Sequence, residues 1–285
     1  NVNNICVDVI CNVNSDCGTD GFTSGPYCAE IRVGLPENFK PIVGYYHPFL
    51  SGGGRINLWD EDGTTYAYLP LRNEWERYSE DAKVRAGLPE NFKPIVGYYH
   101  PFGNRENENG NTGRINVWNS DGVAYVYEFW HNKWILYGEE KKTAEGLPNG
   151  FKPIAGYYVS DSEGGKIQLW DNNGIMYAVE NSSEKRWVRG NNEQIQNGLP
   201  SNFKPIEGYA FIAPNGVDGR INLWDANNQL YVYLTERGRW MNITGSLDAR
   251  GLPENDIPDN GYFDPFSNKL TFWYESDMYE ASDRN

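Results

Sequence analysis

The chain has 285 residues, 39% hydrophobic and 15% aromatic, with 10 Trp and 20 Tyr against 3 Met. That composition describes a folded chain rich in bulky rings and excludes a disordered one, and no apolar run reaches the ~18 residues of a membrane span. Its formal net charge is −14, from 25 basic and 39 acidic residues, which argues against nucleic acid or an anionic membrane as partner, since both reward a basic surface.

The N-terminal segment stands apart. The chain starts at Asn1 with no Met and no signal sequence, and reads as a mature, processed product. All four cysteines (Cys6, Cys11, Cys17, Cys28) fall in the first 28 residues, within an Asn/Gly/Ser-rich stretch. An even number in so short a segment predicts two disulfides formed in an oxidising compartment, with three connectivities open. Zinc is the rival reading, but no Cys-x-x-Cys pair occurs and the first histidine is His47. Two N-glycosylation acceptors, Asn181-Ser182-Ser183 and Asn242-Ile243-Thr244, fit secretion to the extracellular space.

Self-similarity decides the architecture. GLPENFKPIVGYYHPF begins at Gly34 and recurs verbatim from Gly87; variants begin at Gly146, Gly198 and Gly251, so successive starts lie 53, 59, 52 and 53 residues apart. In the first unit Phe39–Tyr46 is strand-like, and Arg55–Asp60 alternates with Ile56 and Leu58 on one face and Asn57 and Trp59 on the other. Glu61-Asp62-Gly63 signals a turn, Thr65–Leu69 a third strand and Trp75–Ser79 a fourth. Pro41, Pro94, Pro153 and Pro205 interrupt the first strand of their units, which suits a sheet edge facing a central channel.

Four short strands in roughly 50 residues is the grammar of a propeller blade. The fold expected is therefore all-β: a five-bladed β-propeller with four antiparallel strands per blade, in one domain spanning 1–285. Blades 1 to 5 occupy 34–86, 87–145, 146–197, 198–250 and 251–285. The last unit is 18 residues short of 53, and residues 16–33 are sized to complete it, with Phe22 in the aromatic slot held elsewhere by Trp75, Trp134, Trp187 and Trp240. Residues 1–15 form a Cys-containing leader to that closing strand. A disulfide at this seam is expected to contribute ~2–4 kcal/mol.

Five such repeats with aromatic strands and Asn/Asp-Gly turns resemble the five-bladed β-propeller lectins of the tachylectin type, over Asp16 to Asn285 as architecture. The resemblance implies glycan pockets between neighbouring blades near one rim. A second echo is the hemopexin-like repeat, to which DEDGTTYAYLPLRNEWERYS is similar in its strand–turn–aromatic rhythm. That family has four blades joined by a disulfide between first and last, and the five GLP starts and clustered cysteines count against it.

Carbohydrate recognition uses aromatic rings against the apolar face of a pyranose and planar amides for its hydroxyls, and repetition multiplies weak affinity. The candidate sites are the pairs Asn57/Trp59, Asn116/Trp118, Gln168/Trp170 and Asn222/Trp224, together with Tyr46, Tyr99 and Tyr158 at the ends of first strands. The outer set Trp75, Trp134, Trp187 and Trp240 joins them. Core packing is the competing reading for every one of these tryptophans, because blades pack face to face. The expected function is a secreted, multivalent, non-catalytic lectin whose partners are glycans or glycoproteins, without cofactor, metal or membrane insertion. The alternatives are a protein-binding or scaffolding propeller and a glycoside hydrolase. The hydrolase would use carboxylates that break the repeat at the funnel: Glu207, Asp259 and Asp264. The DEDG run from Asp60 lacks the distal Glu of a calcium loop and reads as a hairpin turn, and no pattern supports haem ligation by His47, His100 or His131.

Overall fold

The computed structural model describes residues 34–36, 38–47, 55–69, 72, 74–77, 87–100, 113–128, 133–159, 165–180, 186–190, 197–211, 219–234, 237–244, 257–264, 269–274 and 277–282. The first antiparallel sheet holds β1 (Pro41–His47), β2 (Arg55–Asp60), β3 (Thr65–Leu69) and β4 (Glu74–Arg77), in that order. The second holds β5 (Val96–His100), β6 (Arg114–Trp118), β7 (Ala124–Glu128) and β8 (Lys133–Tyr137). After a short helix α1 (Glu139–Ala144) comes the third, with β9 (Pro153–Val159), β10 (Lys166–Asp171), β11 (Met176–Glu180) and β12 (Val188–Arg189). The fourth holds β13 (Pro205–Phe211), β14 (Arg220–Asp225), β15 (Leu230–Leu234) and β16 (Arg239–Asn242).

A further sheet of three strands joins β17 (Asn260–Asp264), β18 (Lys269–Tyr274) and β19 (Asp277–Ser282). The sequence predicts a fourth strand here from residues 16–33, which lie, with all four cysteines and Phe22, outside the described residues. The described chain is thus four complete four-stranded blades and one three-stranded sheet.

The first strand of each sheet is its inner edge, and neighbouring inner strands meet in the cyclic order β1, β5, β9, β13, β17 and back to β1. The prolines lie at the inner edge but do not interrupt it: Pro41, Pro153 and Pro205 open inner strands, and Pro94 precedes β5. There their missing N–H removes nothing from an interior ladder. Close approach of the inner strands depends on a glycine at one register. A Cβ on Gly97 would stand 2.7 Å from Val43 Cγ1, and one on Gly156 would stand 2.7 Å from Val96 Cγ1.

The β2–β3 turn shows why the repeat keeps Asp or Asn at its corner. Asp60 Oδ1 accepts the N–H groups of Asp62 (3.0 Å) and Thr64 (2.7 Å). Asn119, Asp171 and Asp225 do the same in the next three blades. A side chain that mimics a backbone acceptor fixes the hairpin, so the DEDG carboxylate serves the turn.

The GLP glycine has a steric reason of its own. Gly198 sits at φ +97°, and a Cβ there would lie 2.1 Å from the Trp240 carbonyl oxygen; Gly34, Gly87 and Gly146 repeat the contact with Trp75, Trp134 and Trp187. The connector that carries the chain to the next inner strand thus lies flat against an outer strand, where Trp240 N–H donates to the Asn197 carbonyl at 2.8 Å.

The connector between β8 and β9 holds the helix α1, which the strand pattern of the repeat does not predict. In α1, Lys142 is buried, donates to the Gly122 carbonyl (3.0 Å), pairs with Glu139 (2.5 Å) and lies 5.3 Å over the Trp118 ring. Its charge is offset by a carboxylate and a carbonyl as burial requires.

Candidate functional site

The eight tryptophans named as ligand-stacking candidates all lie in the core. Trp59, Trp118, Trp170 and Trp224 are at most 1% exposed, and Trp75, Trp134, Trp187 and Trp240 at most 5%. The inner-strand-side set works between blades. Trp59 meets Trp134 of the second blade at 6.5 Å, Trp118 meets Phe151 of the third at 5.8 Å, and Trp170 meets Phe203 of the fourth at 5.4 Å. Trp224 meets Phe272 of the three-stranded sheet at 5.9 Å, and Trp273 meets Phe39 of the first blade at 5.5 Å. These pairs are all near-perpendicular, the favoured aromatic geometry, worth ~0.5–1.5 kcal/mol each beyond area burial. Buried on both faces, none offers a ring to a sugar.

The amide candidates share that fate. Asn57, Asn116, Gln168 and Asn222 are at most 4% exposed, each opposite an inner-strand tyrosine: Tyr45, Tyr98, Tyr157 and Tyr209. Asn116 Nδ2 donates to Tyr98 Oη at 3.0 Å, and burial keeps all four amides from glycan hydroxyls. Tyr99 and Tyr158 are half-buried and touch edge to face at 5.9 Å across blades 2 and 3. The side chains of Tyr46 and Asp264 lie outside the described residues, as do the sequon Asn181 and His131. Asn242 is exposed on β16, and its Oδ1 accepts from Thr244 Oγ1 at 2.8 Å.

Where the inner strands meet, a cavity of about 40 Å³ is lined by one register from each strand: Ile42-Val43-Gly44, Ile95-Val96-Gly97, Ile154-Ala155-Gly156 with Tyr157, Ile206-Glu207-Gly208 and Asn260-Gly261. Ligand pockets run to ~300–1,000 Å³. This space holds a water or two or one slender group, and a pyranose ring does not fit. Glu207 takes the place of Val43, Val96 and Ala155, and Asp259 that of the isoleucines. Glu207 Oε1 accepts the Gly208 N–H at 3.0 Å. Burial, with a smaller contribution from the charge of Asp259, nevertheless pushes its carboxyl up to about 8. Burial and then Glu207 push the Tyr157 phenol well above its ordinary value.

At one end of this channel the repeat presents its side chains outward. Ile95 and Ile206 are 41% and 44% exposed, and Ile42 and Ile154 are half-buried at the same register. Two residues earlier in each of these units stands an exposed lysine: Lys40, Lys93, Lys152 and Lys204. The last unit breaks both rings, with Ile257 for lysine and the exposed Asp259 for isoleucine. This KPI run is not aromatic, and its verbatim repetition in four units is its signal in the sequence. A separate recess of about 470 Å³ on blade 1 is lined by Asn38, Lys40, Asp60, Tyr66 and Arg77 among others. Among the described residues no three His, Cys, Asp or Glu gather as a ligand set for a metal ion, and no helix is long and apolar enough to cross a membrane.

Sheets of four antiparallel strands, joined inner strand to inner strand around a channel, define an all-β propeller built of sequence repeats. No protein-family model matches the chain, and no curated protein matches it. Solved structures similar to it include YCF48 bound to D1 peptide (TM-score 0.40, 12% identity, 87% of this chain and 70% of that one). An auxiliary nutrient binding protein from Bacteroides thetaiotaomicron VPI-5482 gives TM-score 0.47 and 12% identity over 88% of this chain and 74% of that one. The C-terminal WD40 domain of Sif2 gives 0.36 and 8% over 85% and 69%.

Proposed function

We propose that the chain is a non-catalytic, protein-binding propeller that docks an acidic segment of a partner on the channel end ringed by isoleucines and lysines. One observation carries this reading: the four-fold Lys-Pro-Ile run, which sets an exposed lysine two residues before an exposed or half-buried isoleucine of the channel register in each of four units of an otherwise acidic protein. An apolar centre with a charged rim is the anatomy of a protein interface, and complementary rim charge steers a partner of opposite sign. The ring closes as five blades, with residues 16–33 completing the three-stranded sheet, and the four N-terminal cysteines staple that seam in a secreted protein.

The test is a fluorescence binding assay on an array of short acidic peptides containing apolar residues. The doubly reversed variant Lys93→Glu, Lys152→Glu, on adjacent blades, is expected to lose at least tenfold in affinity for the best peptide and to flatten the salt dependence. Unchanged affinity in this variant overturns the reading. Glycan binding is the second reading, favoured by the recess of about 470 Å³ on blade 1, whose carboxylate, amide and guanidinium suit sugar hydroxyls. Saturable monosaccharide binding lost on Arg77→Ala would move the function there. A glycosidase would need two carboxylates about 5–9.5 Å apart around a sugar, and the space beside Glu207 is too narrow for one.

A further inference from the structure

We infer that the channel mouth accepts a primary alkylammonium, the chemistry of a lysine side chain presented by the docked partner. The inference rests on the protein-binding reading for its biological setting, but its chemistry comes from the channel itself. At the register where the first three blades carry Val43, Val96 and Ala155, the fourth and fifth carry Glu207 and Asn260, and Tyr157 of the third blade is the one other polar side chain in the lining. Asn260 is 6% exposed, and its Oδ1 has no hydrogen-bond partner among the described residues. Asp259 stands one residue before it, close enough to act on Glu207 through its charge.

The wall is therefore apolar on one side and rich in oxygen acceptors on the other. A slender methylene chain with a cationic head and three N–H donors matches both halves. A bare calcium ion would seek about six to eight oxygens and would find apolar wall around most of its circumference. A sugar is excluded by the space of about 40 Å³. The lysine collar selects acidic flanks on the same segment, so the expected ligand is an acidic stretch carrying one lysine.

The test uses n-butylammonium chloride against n-butanol, its neutral twin, at constant ionic strength, followed by protein-observed NMR titration and thermal shift. Wild type is expected to bind the ammonium saturably in the millimolar range, with n-butanol at least tenfold weaker. Glu207→Val, which installs the residue found at positions 43 and 96, is expected to fold and to lose the ammonium at least tenfold. At pH 9, where Glu207 is ionised and the alkylammonium is still protonated, Glu207→Gln keeps the shape and a hydrogen-bonding head, tests the charge alone and is also expected to weaken binding. Equal binding of n-butanol, wild-type affinity in Glu207→Val, or no saturable binding each overturns the inference. Acidic peptides differing only by lysine against norleucine separate the two proposals. If both bind equally, the ammonium site falls and the docking face stands; if neither binds while n-butylammonium does, the reverse holds.

Discussion

Trp170→Ala is expected to lower the stability of the chain by ~3–5 kcal/mol, the range for removing a large aromatic from a well-packed core. Trp170 is fully buried and meets Phe203 at 5.4 Å and Trp240 at 6.2 Å. It packs in one cluster with Ala155, Met176, Ile221 and Leu223 of two blades. Truncation leaves a void across the seam between blades 3 and 4, where neither sheet can collapse without moving the other. Urea unfolding measures it: the midpoint should fall sharply with little change in slope. Leu136→Ala, at a side chain 57% exposed, is the control and should shift the midpoint by less than about 0.5 kcal/mol equivalent. A stability loss below about 1 kcal/mol for Trp170→Ala would mean that the ring is available to a ligand after all.

The second large effect concerns pH. Glu207 is held at about 8 in the folded chain against an ordinary value of 4.5. Between those two values the folded state binds more proton than the unfolded state, so stability is full below pH 4.5 and falls as pH rises toward 8. The loss across that window is on the order of 3–5 kcal/mol, a large share of the ~5–15 kcal/mol typical of a domain. The groups facing Glu207 are few: Asp259 beside β17, whose negative charge adds to the loss, and Tyr157 on β9, which stays neutral throughout. From β1 and β5 the facing side chains are apolar. Glu207→Val should remove the slope and make the variant more stable than wild type at pH 8. An identical pH profile for the two proteins would show that the carboxyl titrates as if in water.

The strands are legible because the repeat displays the first three of them five times and the fourth four times. Arg55–Asp60 and Thr65–Leu69 match β2 and β3 residue for residue. The first strand starts two residues later than its aromatic content suggests, because Phe39 sits in a turn, its N–H donating to the Pro36 carbonyl, and packs on Trp273. What period-two alternation cannot give is which face meets solvent. In a propeller both faces of a blade are buried against neighbours, so Asn57 and Trp59 look the same on the page whether they meet a sugar or the next sheet. The helix α1 was hidden because Glu139-Glu140-Lys141-Lys142 reads as a solvated charge run; the burial of Lys142 against Trp118 is a tertiary effect that no local pattern announces. Glu207 and Asp259 were visible as departures from the repeat, whereas the narrowness of the channel they enter depends on how five edges meet.

The docking face is tested most directly by placing a photoactivatable diazirine side chain at position 95, on the isoleucine ring, and separately at position 136, on the exposed outer strand β8. Irradiation with the best acidic peptide and mass spectrometry of the adducts should give efficient cross-linking from 95 and none above background from 136. Cross-linking from 136 alone, or equally from both, would contradict a partner seated on the channel mouth.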